Sequence, residues 1–303
     1  MDQEAERVGR MTQNATATRV PRALAAPSVV FLLVFAAYPL VYLIGLAFSE
    51  STLAQPLQRW TGFDNFRSAL ESQSFTASLW RSVLFAVAAA AVQLVLGTAL
   101  AFLLRARARR PGALGALLLL PLVTPPVMVG VAWKLLLAPV GGALNEALHE
   151  LSLPGVNPLG GSTSAFVTLI VIDSWQWTPF VMLLTYAALL GVPDELREAA
   201  SLDGAGRWRT ARSVVLPYIE PTLLSVLTLK LVIGFKVFDI VYVVTAGGPG
   251  FSTTTSTFDI QRTALQEFDV GRAAAATVLF SLLIGLVAGA VTVRRKRHMD
   301  VAI

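Results

Sequence analysis

The stretch Ser82–Leu104, SVLFAVAAAAVQLVLGTALAFLL, decides the fold class of this chain because none of its residues is charged. A helix needs about 20 residues, at 1.5 Å per residue, to cross a hydrocarbon core about 30 Å thick. Working outward, we find further apolar stretches of that length on both sides. The sequence therefore predicts an all-α integral membrane protein with six transmembrane helices, at Leu24–Phe48, Ser82–Leu104, Ala113–Leu137, Ala165–Gly191, Thr222–Val244 and Arg272–Val293.

The composition supports a membrane protein and excludes most enzyme chemistry. Of the 303 residues 55% are hydrophobic and 14% are charged, and the mean hydropathy is +0.65. A soluble domain carries about 25% charged residues. Cysteine is absent and the two histidines, His149 and His298, are far apart. We therefore predict no catalytic residue, no metal site and no cofactor bound by the chain itself.

The basic residues predict the orientation in the membrane. Positively charged residues accumulate in cytoplasmic loops. The two tails and the second and fourth connections carry four arginines or lysines each, whereas the outward connections carry few, among them Arg59, Arg67 and Arg262. Both termini are thus predicted to be cytoplasmic, with tails 1–23 and 294–303 around a transmembrane domain at 24–293. The net charge of +5 is explained by these loops, so we predict no nucleic-acid partner.

Two connections have helical patterns of their own, and prolines interrupt one span. Apolar residues at helical spacing predict a short outer helix over Ala143–Leu151. Pro121, Pro125 and Pro126 predict a kink in the third span. The cytoplasmic connection 192–221 reads as two helices around a break at Asp203-Gly204. We expect the second helix to end near Leu216, with Pro217 and Pro221 marking the turn into the fifth span.

The same cytoplasmic connection carries a family resemblance. Glu198-Ala199-Ala200, Asp203-Gly204-Ala205 and Leu216-Pro217 resemble the EAA loop of binding-protein-dependent ABC importer permeases, with departures at Ala211 and Val214. The resemblance implies a type I importer permease in a bacterial inner or plasma membrane. It also implies that the loop contacts a separate ATPase, with Glu198 at the contact and Gly204 at the turn between the two helices. The site residues implied for coupling are Glu198, Ala199, Ala200, Asp203, Gly204, Leu216 and Pro217.

A second stretch narrows the resemblance to carbohydrate permeases. Phe238–Pro249, FDIVYVVTAGGP, is similar to the signature of maltose, glycerol-phosphate and polyol permeases, and Trp177–Phe180 and Asn145 also resemble that group. The resemblance implies a second permease subunit, an ATPase dimer that uses ATP and Mg²⁺, and a sugar-binding protein outside the membrane. Because no Gly-Lys pair occurs in the chain, a Walker A phosphate loop is impossible and the ATPase must be a partner.

Charged residues inside the predicted spans mark a possible solute pathway, namely Lys134, Asp173, Lys230, Lys236 and Asp239. Counted from the outer ends of their spans, Asp173 and Lys236 both lie about 12 Å deep. We hypothesise that these two residues form an ion pair or that both line the outer half of the pathway. A purely structural ion pair, or a lysine that reaches toward the membrane surface, is the alternative.

Three aromatic residues of the fourth span, Trp175, Trp177 and Phe180, extend this candidate pathway. Aromatic faces stack on the apolar faces of sugar rings, so a tryptophan pair beside Lys230 and Lys236 suits sugar passage. Ordinary helix packing and contact with lipid are the alternatives.

Three other functions are alternatives to sugar import. An ion-gradient-driven transporter needs acidic relay residues deep in the membrane, and Asp173 and Asp239 are few and near the outer face. An importer permease for another solute, such as a peptide or phosphate, is compatible with the EAA loop. An intramembrane enzyme lacks obvious catalytic residues.

Overall fold

The computed structural model describes residues 22–107 and 112–301, and these residues are almost entirely helical. The helices are α1 Arg22–Ala47, α2 Asp64–Glu71, α3 Gln73–Arg107, α4 Gly112–Val123, α5 Pro126–Leu136, α6 Ala143–Glu150, α7 Ser162–Leu190, α8 Asp194–Leu202, α9 Arg207–Thr210, α10 Leu216–Phe235, α11 Ser256–Leu265 and α12 Val270–Val301. A two-residue hairpin, β1 Ser49–Glu50 and β2 Arg59–Trp60, pairs antiparallel after α1.

The six predicted membrane spans are confirmed. In the described ranges five helices are long and apolar enough to cross a membrane, and the bent pair α4–α5 provides the sixth span. The second span is longer than predicted, because α3 begins at Gln73 rather than at Ser82. The predicted outer helix is also present, as α6. The first 21 residues of the predicted N-terminal tail lie outside the described residues.

The third span bends sharply, as its prolines predicted. The axes of its two halves differ by 97° across a break between Val123 and Pro126. Proline at positions 125 and 126 removes backbone donors, which leaves carbonyls of the preceding turn without helical partners. At the break itself, Gln176 of α7 donates a hydrogen bond from its Nε2 to the Thr124 carbonyl oxygen at 3.0 Å. The bend is therefore held by a side chain of another span.

The fifth span differs from the prediction at both ends. Pro217 and Pro221 do not turn the chain, because α9 continues through a π-helical turn, Ala211–Val215, into α10. A π turn immediately before Pro217 widens the backbone where the proline ring would otherwise clash with the preceding turn. The helical span consequently begins at Arg207 instead of Thr222.

At its outer end the fifth span stops at Phe235, although the apolar sequence continues to Val244. The hydroxyls of Thr255 and Thr257 both donate hydrogen bonds to the carbonyl oxygen of Val237. That carbonyl therefore has partners outside the helix, and the chain unwinds before a second π-helical segment, Val241–Thr245. The prediction of an unbroken helix over Thr222–Val244 was therefore wrong. The apolar pattern of that stretch contains no sign of hydrogen bonds that come from threonines much later in the chain.

The packing centre of the protein is the contact between α3 and α7. A Cβ atom at Gly97 of α3 would lie 2.7 Å from the Val181 side chain of α7, so only glycine permits this approach. Gly234 of α10 likewise lies against the backbone of Ala86 on α3. Helix α3 is thus the element on which α7 and α10, the helices that carry the predicted pathway residues, are positioned.

Candidate functional site

The cytoplasmic loop forms two helices around a glycine turn, as predicted. Gly204 follows α8 with φ of +74°, a left-handed conformation that favours glycine. The Ala205 amide donates to the Ala200 carbonyl oxygen at 2.9 Å and closes the end of the helix. No atom lies within 4 Å of where a Cβ would stand on Gly204, so the glycine is required for its backbone and not for space.

Two side chains fasten this loop to the end of α7. Arg197 donates from Nη2 to the Leu189 carbonyl oxygen at 3.1 Å and forms an ion pair with Asp194 through Nη1, also at 3.1 Å. The Tyr218 hydroxyl donates to the Gly191 carbonyl oxygen at 3.5 Å. These positioning roles could not be predicted from the sequence, because every residue has a backbone carbonyl and nothing in the sequence marks which carbonyls accept a side-chain hydrogen bond.

The loop presents a mixed polar and apolar surface to the cytoplasm. Glu198, Ala199 and Asp203 are exposed. Leu202 is 88% exposed and Trp208 is 77% exposed, one on each side of the Gly204 turn. Large apolar side chains that are this exposed commonly mark a surface for a partner protein.

Two of the other predicted coupling residues, Ala200 and Leu216, are less accessible. Ala200 is buried against the rest of the protein, so its small side chain serves the packing of the loop. Leu216 packs partly buried beside the cluster that contains Leu104 and Leu189, and Pro217 is exposed. The structure therefore separates the predicted set into an outward face and an inward face.

Four predicted pathway residues line one small cavity among the spans. Asp173 and Trp177 of α7 face Lys236 and Asp239 across a volume of about 150 Å³. Lys236 and Asp239 reach this cavity because α10 ends at Phe235 and the unwound chain continues along its wall. Irregular backbone at membrane depth occurs where it lines a cavity or is buried in protein.

A buried polar network adjoins the cavity. Gln93 of α3 donates from Nε2 to Asp173 Oδ2 at 2.7 Å. Lys230 of α10 is only 2% exposed, and its Nζ lies 4.3 Å from the centre of the Trp177 ring. Its ammonium charge also acts on the Asp173 carboxylate. Gln93 and Gln176 carry neither a charge nor an aromatic ring, so the two signals that mark pathway residues in the sequence do not identify them.

The structure changes two details of the predicted pathway. The ion pairs among the described residues join Asp173 neither to Lys236 nor to Lys230, and Lys230 is the cation that lies buried over the Trp177 ring. Trp175 is not paired with Trp177. It packs edge-to-face on Trp133 at 5.7 Å and lines a separate apolar cavity.

Phe180 contacts Trp177 but lies outside the small cavity. Its ring lies 6.2 Å from that of Trp177 in an edge-to-face arrangement, and it does not line the small cavity. The cavity thus combines carboxylates, an ammonium group and two aromatic side chains, Trp177 and Phe238. Such a combination can accept and donate hydrogen bonds to a hydroxylated solute while an apolar face of the solute packs on an aromatic ring.

Relatives of known sequence agree with this architecture. The trehalose/maltose transport system permease protein MalF of Thermococcus litoralis is 32% identical over 229 residues, which cover 76% of this chain and 78% of the relative. The diacetylchitobiose uptake system permease protein DasB of Streptomyces coelicolor is 32% identical over 292 residues, covering 92% and 88%. The trehalose transport system permease protein SugA of Mycobacterium tuberculosis is 28% identical, covering 88% and 85%.

Solved structures share the fold. A chain of a bacterial ABC transporter involved in the import of the acidic polysaccharide alginate superposes with a TM-score of 0.82 at 22% identity, covering 95% of this chain and 99% of that one. A chain of the MetNI methionine ABC transporter gives a TM-score of 0.54 at 18% identity, covering 74% and 95%. The sequence model of the binding-protein-dependent transport system inner membrane component matches residues 93–299. The chain belongs to this family of multi-pass inner membrane proteins.

Proposed function

We propose that this chain is the permease subunit of an ATP-driven sugar importer and that it couples to a separate ATPase through the loop around Gly204. The observation that carries the proposal is the pair of exposed apolar side chains, Leu202 and Trp208, on the two sides of that turn. Glu198 and Ala199 extend the same exposed surface. A rigid, glycine-turned loop fastened to α7 by Arg197 suits the transmission of motion from a docked ATPase to the spans.

The proposed assembly has four kinds of component. This chain forms half of a translocation pathway with a second permease subunit, and α1 offers a suitable surface because most of its side chains are exposed. An ATPase dimer on the cytoplasmic side uses ATP and Mg²⁺, and the chain itself catalyses no reaction. A binding protein delivers solute from outside. The tails 1–23 and 294–303 are assigned to the cytoplasm, and the whole alternates between outward- and inward-facing states.

Sugar is the proposed solute class for two reasons. Several similar permeases carry names of sugar uptake systems. The small cavity also places Trp177 beside hydrogen-bonding groups, which suits a hydroxylated ring. The alternative is a non-sugar solute, because Lys236 and Asp239 can also bind charged groups.

A co-purification experiment tests the coupling surface. The tagged full chain is isolated from its native membrane, and retained subunits are identified by mass spectrometry. The wild-type chain should retain an ATPase and a second permease. Glu198→Lys should lose the ATPase, because the new positive charge would be either unpaired in the contact or opposite a positive charge of the ATPase. Glu146→Lys, on the exposed outer helix α6, is the matched control and should retain it. Equal ATPase recovery with both variants would contradict the coupling role of Glu198.

An uptake experiment tests the solute class and the pathway. Cells that express the complete system with its own binding protein are supplied with labelled disaccharides, a labelled peptide or phosphate. We expect uptake of a disaccharide, reduced about tenfold by Asp173→Asn or Lys236→Met if each removes a charge-assisted hydrogen bond. Normal uptake by both variants would remove these residues from the pathway. Uptake of the peptide or phosphate alone would replace sugar with the non-sugar alternative.

A further inference from the structure

A third cavity lies between the loop 192–221 and the ends of α3 and α7, and the function proposed above does not use it. It encloses about 360 Å³ between the cytoplasmic end of α3, the end of α7 and the loop helices α8 and α9. Three arginines from three different elements line it, Arg105, Arg197 and Arg207. No aspartate or glutamate is among its lining residues. The cavity is therefore a concave, strongly basic site.

The arginines are incompletely neutralised by the protein. Arg197 has Asp194 as its partner, but the ion pairs of the described residues include neither Arg105 nor Arg207. The Nε atom of Arg105 is buried and has no hydrogen-bond acceptor among residues 22–107 and 112–301. A buried donor on a charged group without an acceptor is unfavourable. An anion with several oxygen atoms would satisfy it, and guanidinium groups match phosphate geometry especially well.

The remaining wall of the cavity is apolar, with Phe102, Leu189 and Val215 among its members. Its depth is that of the membrane surface, because the apolar window of α3 ends at Ala106 and that of α7 at Leu190. Basic pockets between spans on the cytoplasmic side are suited to lipid headgroups. A molecule with a phosphate at one end and hydrocarbon at the other fits both parts of the wall.

We propose that this cavity binds an anionic phospholipid of the cytoplasmic leaflet. Arg105 and Arg207 hold the phosphate, and Phe102 and Val215 contact the start of the acyl chains. Because α8 and α9 form one side of the cavity, the bound lipid braces the loop against α3 and α7. The position of the loop then depends on the lipid composition of the membrane.

Native mass spectrometry of the purified full chain tests the site. Lipid-depleted protein is titrated with phosphatidylglycerol and, separately, with phosphatidylcholine. We expect one retained phosphatidylglycerol molecule, and a loss of about tenfold to a hundredfold in its affinity with Arg105→Gln or Arg207→Gln, since each removes hydrogen bonds to a charged group. Arg209→Gln is the matched control, because Arg209 is exposed on the same short helix and does not line the cavity. It should retain the lipid.

Two further measurements distinguish loss of lipid binding at this cavity from misfolding of the variants, and binding of a lipid from binding of any anion. Ala211→Phe keeps every arginine but fills the cavity, since Ala211 lines it, and it should also expel the lipid. Inorganic phosphate alone should not displace phosphatidylglycerol at equal concentration, because it leaves the apolar wall uncovered. Equal lipid retention by Arg105→Gln, Arg207→Gln and Arg209→Gln would overturn the site. Displacement by inorganic phosphate, or equal affinity for phosphatidylcholine, would overturn the assignment to an anionic lipid.

Discussion

Removing one charge from the buried pair Asp173 and Lys230 should destabilise the protein more than removing both charges. Asp173 is 5% exposed and Lys230 is 2% exposed, so neither charge is solvated by bulk water. The Asp173 carboxylate has the Gln93 amide as a hydrogen-bond donor, whereas Lys230 Nζ has no hydrogen-bond acceptor among the described residues and lies over the Trp177 ring. Each buried charge is therefore compensated only in part by its direct contacts, and the opposite charge of the other residue supplies a further, longer-range part.

The expected magnitude follows from this burial. Because the two charges do not form a direct ion pair, removing one of them should cost about 1–3 kcal/mol, the cost of leaving a buried polar group uncompensated, rather than the larger cost of breaking a direct buried pair. Asp173→Asn keeps an oxygen that can accept from Gln93, and Lys230→Met keeps the length of the side chain, so both changes remove mainly charge. Lys230→Met also removes the cation–π contact with Trp177, about 1–2 kcal/mol. The double variant should lie within about 2 kcal/mol of the wild-type protein.

The assay is a double-mutant cycle on the free energy of unfolding. The four proteins are purified in mild detergent and unfolded by titration with a denaturing detergent, with tryptophan fluorescence as the signal. The sum of the two single effects should exceed the effect of the double variant by about 2 kcal/mol or more, which is the coupling energy between the two positions. Gln266→Leu, an exposed change far along the chain, should add independently to either single variant. If the two single effects simply add in the double variant, the charges do not stabilise one another and the reasoning fails.

Three further predictions concern backbone geometry and packing. Gly204→Ala should cost about 1 kcal/mol through left-handed strain and Gly204→Asn less, so hydrogen exchange of α8 amides should rise more in the alanine variant than in the asparagine variant; equal exchange would contradict the strain. Gln176→Leu should cost about 1–3 kcal/mol in unfolding titrations, because the Thr124 carbonyl loses its partner; an unchanged titration midpoint would contradict this. Gly97→Ala should cost about 1–3 kcal/mol because its Cβ would overlap Val181, whereas Gly285→Ala, with open space, should be neutral.

The sequence predicts the features that depend on local signals. The length of an apolar stretch is sufficient to identify a span, and all six spans are present. A glycine at the end of an amphipathic helix is sufficient to predict the turn at Gly204. Proline pairs are sufficient to predict the bend near Pro125, although its angle depends on the neighbouring helices.

Features that depend on distant partners could not be predicted in this way. Just beyond the end of α10, the hydroxyls of Thr255 and Thr257 bind the Val237 carbonyl, about 20 residues earlier in the chain. Apolar composition alone extends the helix to Val244 and so places Lys236 inside a helix. The continuation of the helix through Pro217 depends similarly on a π turn, for which the sequence has no established signature.

The surroundings of Asp173 could have been predicted more closely from the spacing of residues along α7. Depth alone paired Asp173 with Lys236, and depth alone also grouped Trp175 with Trp177. A helix turns 100° per residue, so positions two apart point in nearly opposite directions, whereas positions four and seven apart share a face. This rule places Asp173, Trp177 and Phe180 on one face and Trp175 on the other. The contacts agree, since Trp177 lies against Lys230 and Trp175 packs on Trp133. Depth and direction together therefore select one face of α7 as the face to mutate first in the uptake assay.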